Sequence, residues 1–489
     1  MKRWLPHFTP GRVLAGIVTA YVLLFFWLAC LKLSALTANS GELAEYNTVM
    51  ANTLHGKWFF SSSVGTNYLG AHLDFLLAII LPFYFVAPCY QTMFFVQSLA
   101  IGVSGFAFFR IAQRTLGNDW SAGALSMAYL LYPTVATMQL DGFHGETLAL
   151  PFLMLAIWAY ETERFRLFLL FLVLTFAGQE NLPLTCLMFG PLALWQRRKR
   201  RWVVAPVVLS LAYLALALCV IMPWLRAGKH YAALNYLGDL GATPGEAFAN
   251  MIRHPGIAVD RILSSDRLLY LLLMFQPLML LIPFLSPWFL LFMPNLLLNL
   301  IVQEPAFRTI PWHYNSTVGA CLCVATLMGF QNLRGGWAGR WKQKVSLAVL
   351  PLALLVLSAS SWPFWFTPEV FLRSPYYATQ RKVIDLLPKD KAVLAPLTLM
   401  AQVSNRGPVW ELAQFDPRFR NLDTQPRERM YTLDYVVLDA NERRFLQDIV
   451  TRELVMSFYT NTAYRLIFQE NNMLVFQRVG NPRAPTSVP

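Results

Sequence analysis

The sequence predicts an α-helical polytopic membrane protein, a bundle of about eleven spans carrying a small C-terminal α/β domain outside the membrane. Three observations predict it. The 489 residues are 56% hydrophobic and only 14% charged, too apolar for a water-soluble globule. Apolar runs of spanning or near-spanning length recur from Val13 to about residue 362. The net charge of +13 falls in short clusters beside those runs, the positive-inside pattern, which argues against a nucleic-acid partner.

The N-terminus MKRWLPHFTPGR is basic and precedes an apolar run from Val13 to about Leu33. This run exceeds a secretory h-region of about 7 to 15 residues and lacks a small-x-small site after it, so it reads as an uncleaved first span with a cytoplasmic N-terminus. Further runs follow at roughly 73–88, 91–109, 120–137, 147–160, 166–178, 182–196, 202–224, 267–285, 288–303, 315–332 and 345–362. Several fall short of the ~20 residues of a perpendicular helix, and must be broken or tucked between neighbours. All six cysteines lie in or at the edge of apolar runs, without disulfide or zinc spacing.

Arg197 to Arg201 mark one cytoplasmic loop, and Arg334, Arg340, Lys342 and Lys344 another. The parity between the N-terminus and Arg197 requires that one run not cross. Segment 73–88 is short, contains Pro82 and ends at Pro88, so it reads as re-entrant or juxtamembrane, which also puts Arg110, Arg114, Arg164 and Arg166 inside. Merging 166–196 into one kinked span repairs the count too, but leaves Arg110 and Arg114 outside. On the first choice every polar block of the membrane half lands on the outer face, which suggests a site working there.

The first outer loop, residues 37–72, reads TANSGELAEYNTVMANTLHGKWFFSSSVGTNYLGAH. Glu42 and Glu45 stand one turn apart on an expected amphipathic helix, with Ser40 at the N-cap and Gly56 at the stop. Paired acids there hold a metal or take a proton; the blander alternative is simple stabilisation by the helix dipole. Asp141, His144 and Glu146 in LDGFHGETLALP place three ionisable groups in a short break between spans. His144 and Glu146, two apart, are poor ligands from one helix and need partners from elsewhere. Glu180 in FAGQENLPL sits among apolar neighbours where an unpaired charge is costly, so it serves either a site or a structural cation. His72 and Asp74 in GAHLDF suit a phosphate-facing or catalytic role, or a capping one. His313 and Tyr314 in PWHYNS open a span, and fit the interfacial aromatic belt better than a site.

In the second large outer loop, residues 226–266, Thr243, Pro244 and Glu246 spell a capping box with proline at the first helical position. Lys229, Arg253 and His254 nearby read as solvated charge or headgroup contacts. The membrane domain spans 1–362. Over residues 363–489 charge rises and apolar runs shorten, with a helix at 378–387, buried strands at 391–395 and 435–438, and a hairpin about Asn471-Asn472. No P-loop, G-x-G-x-x-G, H-E-x-x-H or nucleophile elbow occurs, against a nucleotide-driven pump or a zinc protease.

These blocks carry a resemblance. An acid after the first span, a helix, then Gly56 with aromatics behind it resembles the first loop of glycosyltransferase-C superfamily enzymes. The ordered segments GELAEYNTVMANTLHGKWF, GAHLDFLLAIILPFY, DGFHGETLALP, GQENLPL, YLGDLGATPGEAF, WHYNS and LDYVVLD resemble a bacterial membrane-protein family, domain of unknown function 2079, usually placed in that superfamily. The resemblance implies a bacterial cytoplasmic-membrane enzyme moving a sugar from a polyprenyl-phosphate-linked donor to an acceptor at the outer leaflet. It places the general base at Glu42, where the family more often has aspartate, or else at Glu45. Asp141 or Glu146 matches a second acid, and His72, His144 or His313 the group facing the leaving phosphate. Some superfamily members use a divalent metal and others do not. The rival from another class is a non-catalytic protein, such as a lipid-linked glycan transporter or an envelope-assembly partner; no internal repeat favours a transporter.

Overall fold

The computed structural model describes residues 9–480 apart from 38–39, 229–230, 232–235, 239, 242, 336–339, 365, 405–406, 416–426 and 442–448. Lys229 therefore lies outside the described residues. Among them, four helices are long and apolar enough to cross a membrane: Pro10–Ser34 (α1), Tyr90–Leu116, Arg200–Leu225 and His313–Gly335. Their burial differs with their place in the bundle. The last is mostly enclosed by the rest of the protein, whereas Arg200–Leu225 turns most of its apolar surface outward.

Other apolar runs are broken, as their lengths require. Proline and 3-10 turns divide 267–303 into short pieces, and segment 73–88 contains only a 3-10 turn at Phe75–Ile79 and a six-residue helix at Leu81–Val86. Such non-helical backbone is tolerated at membrane depth only where protein or a wet cavity surrounds it.

The first loop folds as helix α2 (Gly41–Leu54), followed by a small antiparallel hairpin of β1 (Phe60–Ser61) and β2 (Thr66–Asn67). The sequence suggests an amphipathic helix; α2 is instead buried on two sides. Leu43, Tyr46, Val49 and Met50 join a core with Leu73, Leu77, Tyr84 and Phe143, while Ala44 joins a second core with Val383, Val403 and Val437. Each large apolar side chain so enclosed stabilises the packing by roughly 1.5–3 kcal/mol.

The second core belongs to the C-terminal sheet. Strands β3 (Val393–Leu394), β4 (Val409–Trp410), β5 (Tyr435–Asp439), β6 (Tyr464–Glu470) and β7 (Met473–Arg478) form one sheet in the order β4-β3-β5-β7-β6. β3 pairs in parallel with β4 and β5, and the β6-β7 hairpin is antiparallel. Asn471 and Asn472 both adopt positive φ at the turn, the conformation that favours asparagine in a two-residue hairpin. The expected helix appears at Tyr377–Leu386; strand β4 and helix Ile449–Thr460 are additions to the sequence reading. Thr243 Oγ1 accepts from the Glu246 amide at 3.2 Å, the cap the sequence spells.

Candidate functional site

Helix α2 is held by its neighbours at the residues that position Glu42. Ser40 occupies the N-cap, but its hydroxyl makes no capping bond; it donates to the Leu397 carbonyl at 2.6 Å and accepts from the Ala401 amide at 3.1 Å. Two turns on, Asn47 donates to Ser404 Oγ at 2.8 Å and accepts from the Tyr84 hydroxyl at 2.6 Å. The chain around residues 397–404 thus grips α2 on one side and Tyr84 grips it on the other.

The segment after Asp141 is set by two devices. Gly142 takes φ +147°, a left-handed value that turns the chain so that His144 comes back over Asp141. Gln97, from the buried Tyr90–Leu116 helix, donates to the Gly142 carbonyl at 2.8 Å and accepts from the His144 amide at 2.8 Å. Gln97 had no signal in the sequence beyond being polar within an apolar run.

Four predicted residues converge here. His144 Nδ1 lies 3.2 Å from Glu42 Oε2, and its Nε2 lies 3.4 Å from Asp141 Oδ2. His313 Nδ1 lies 3.5 Å from the same Asp141 oxygen. The two imidazoles stack with centroids 3.7 Å apart and planes 18° from parallel. His313 is therefore buried in the cluster and not displayed in an interfacial belt, because its ring stacks on His144 and meets Asp141. His144 is nearly closed off at 5% side-chain exposure, while Glu42, though ringed by protein, remains 61% exposed. Glu42 is the member that faces an opening.

Charge distribution follows from this geometry. Burial would raise the Glu42 carboxyl, but the His144 hydrogen bond and the nearby imidazole charges outweigh it and hold it at about 2. Asp141 is depressed in the same way by both histidines against its burial. Burial would lower His144, yet its two carboxylate partners raise it to about 10. Glu42, His144 and His313 also each offer one ligand atom within 4.8 Å of the others, a mixed oxygen and nitrogen set that fits a divalent cation.

A second group lies behind the first. Asp74 Oδ2 accepts from Tyr46 at 3.1 Å and more distantly from Tyr68 at 3.5 Å, and Tyr46 in turn accepts from the Gly145 amide at 3.3 Å. Asp74 stands at the start of a 3-10 turn but makes no cap to it, so the capping alternative fails. Glu180 is bound by His72 Nδ1 at 3.2 Å, the Leu73 amide at 2.9 Å and the Tyr231 hydroxyl at 2.7 Å. Tyr46, one turn after Glu42 on the same helix face, joins the two groups; its i, i+4 spacing was the available signal.

Two predicted residues stand apart. Glu45 accepts from the Ser63 hydroxyl, and Glu146 accepts from Ser316 at 2.7 Å, fastening its loop to the His313–Gly335 helix.

The fold is that of a helical membrane protein of the glycosyltransferase-C-like type. The crystal structure of ArnT from Cupriavidus metallidurans bound to undecaprenyl phosphate aligns with a TM-score of 0.53 at 10% identity, covering 96% of this chain and 100% of that one. The apo-state structure of the same protein aligns at 0.47 and 11% identity, over 96% of this chain and 99% of that one. The chain belongs to the DUF2079 family, described as predicted membrane proteins, which it matches over residues 32–475. No curated protein matches it.

Proposed function

We propose that the protein is a membrane glycosyltransferase that moves a sugar from a polyprenyl-phosphate-linked donor to an acceptor on the outer face of a bacterial cytoplasmic membrane. Its N-terminus is cytoplasmic on this reading and its C-terminal domain lies outside. One observation carries the proposal: Glu42, on the first loop of a glycosyltransferase-C fold, faces an opening while His144, Asp141 and His313 fix it from behind.

In the transfer, the acceptor oxygen or nitrogen bonds to the anomeric carbon, the carbon–phosphate oxygen bond breaks with its electron pair going to phosphate, and the acceptor proton passes to Glu42. A carboxylate of low basicity suffices, because the acceptor turns acidic only as the new bond forms. The same His144 contact keeps Glu42 ionised and correctly aimed.

The departing phosphate calls for a cation with an open face. His72, at 40% side-chain exposure, meets that need better than the enclosed His144 and His313. Arg226 donates to the Gly70 carbonyl at 3.0 Å, so a guanidinium adjoins the His72 loop. The ArnT structure holding undecaprenyl phosphate supports a polyprenyl carrier as donor.

The test compares lipid-linked and envelope glycans in cells lacking the gene and complemented with wild type or Glu42→Gln. The expected result is that the wild type restores a glycan and Glu42→Gln, at equal membrane abundance, does not. Full restoration by Glu42→Gln overturns the enzymatic reading and leaves a non-catalytic role in glycan transport or assembly.

A further inference from the structure

We infer that Glu42, His144 and His313 form a binding site for a divalent transition-metal ion of the zinc class. The first argument is the donor set. Two imidazoles and one carboxylate come from three separate segments and bring their ligand atoms within 4.8 Å of one another. Imidazole nitrogen selects zinc-like ions over magnesium, which prefers oxygen ligands and retains its waters.

The second argument is the shell behind the donors. A metal-binding histidine usually gives its other ring nitrogen to a carboxylate, which fixes ring orientation and raises ligand basicity. Asp141 Oδ2 stands in that relation to His313 Nδ1 at 3.5 Å, and lies 3.4 Å from His144 Nε2 without a hydrogen bond to it. The other nitrogen of each ring is left for the ion, and for His144 this is Nδ1, the atom 3.2 Å from Glu42.

Third, the site is closed on the histidine side and open on the glutamate side. Side-chain exposure is 5% for His144 and 10% for His313, against 61% for Glu42. Three protein ligands with an accessible fourth position is the layout of an exchangeable zinc site, not a structural one enclosed by four.

The inference stands independently of sugar transfer, because binding is read directly. Full-length protein is purified in detergent, stripped with chelator, incubated with zinc chloride, desalted and analysed for bound metal. Cobalt chloride supplies a second readout, the visible absorption of low-coordinate Co²⁺. The wild type is expected to retain about one zinc per chain in the presence of excess magnesium. His313→Ala and Glu42→Gln are expected to lose it, and Asp141→Asn to bind about 10- to 100-fold more weakly.

Glu42→Gln, at the open rim, disturbs packing least and decides the matter if the histidine variants do not fold. Zinc retention equal in wild type and monodisperse Glu42→Gln, or none in the wild type, overturns the proposal. Full glycan restoration by a Glu42→Gln protein that has lost zinc would instead count against the transfer mechanism alone.

Discussion

The Asp74 carboxylate occupies the place of a side chain on Gly145. A Cβ there would stand 2.6 Å from Asp74 Oδ2 and 2.9 Å from its carboxyl carbon. The close approach keeps Tyr46 between Asp74 and the Gly145 amide, and so ties the helix of Glu42 to the loop of His144. Gly145→Ala is expected to displace that loop and cost about 1–3 kcal/mol, the usual range for overpacking. Thermal unfolding in detergent measures the loss, and glycan formation should fall further than stability does.

The carboxylates separate into two kinds. Replacing Glu42 by glutamine should slow transfer by about 10²- to 10⁴-fold, the span for a proton-accepting group. Glu45→Gln and Glu146→Gln, whose partners are Ser63 and Ser316, should retain turnover and lose about 1–3 kcal/mol of stability through weakened buried hydrogen bonds. Rates from purified protein with a lipid-linked donor, set beside melting curves, distinguish the two. A Glu45→Gln enzyme as slow as Glu42→Gln would move the base to Glu45.

The C-terminal region meets α2 at the Asn47–Ser404 bond. Asn47→Ala and Ser404→Ala should each destabilise the fold by about 1 kcal/mol, and the double variant by less than the sum, since they share one bond of 2.8 Å. A double-mutant cycle in thermal unfolding reads the coupling. Strict additivity would mean that the two segments are held independently.

The His72–Glu180 pair sets a pH dependence. Burial would lower His72, but the charge and hydrogen bond of Glu180 raise it to about 9 from 6.5. A raised folded value stabilises fully below about pH 6.5, and the contribution is lost as pH rises toward 9. Glu180 is depressed by His72 against its own burial, so its contribution is lost on the acid side, as pH falls below about 4.3. Melting temperature should decline between pH 6.5 and 9 more steeply in wild type than in Glu180→Gln.

Local rules carried much of the reading. The Thr243 cap and the asparagine turn of the β6-β7 hairpin depend on residues close in sequence, and each appears where its spacing put it. His313 shows the limit. Beside Trp312 and Tyr314 at the head of a span it has the composition of a membrane-interface belt, and nothing local distinguishes that from a ring turned inward against His144.

By itself, the sequence determined a polytopic helical membrane protein with a small C-terminal sheet region, because hydropathy, charge clusters and turn chemistry are sums over neighbouring residues. It also marked nine polar residues as candidates. Tertiary structure alone sorted them, joining Glu42, Asp141, His144 and His313, setting His72, Asp74 and Glu180 behind, and sending Glu45 and Glu146 to serine partners. The physical reason is that such contacts join distant segments whose approach depends on how every helix packs, and no local pattern encodes that distance.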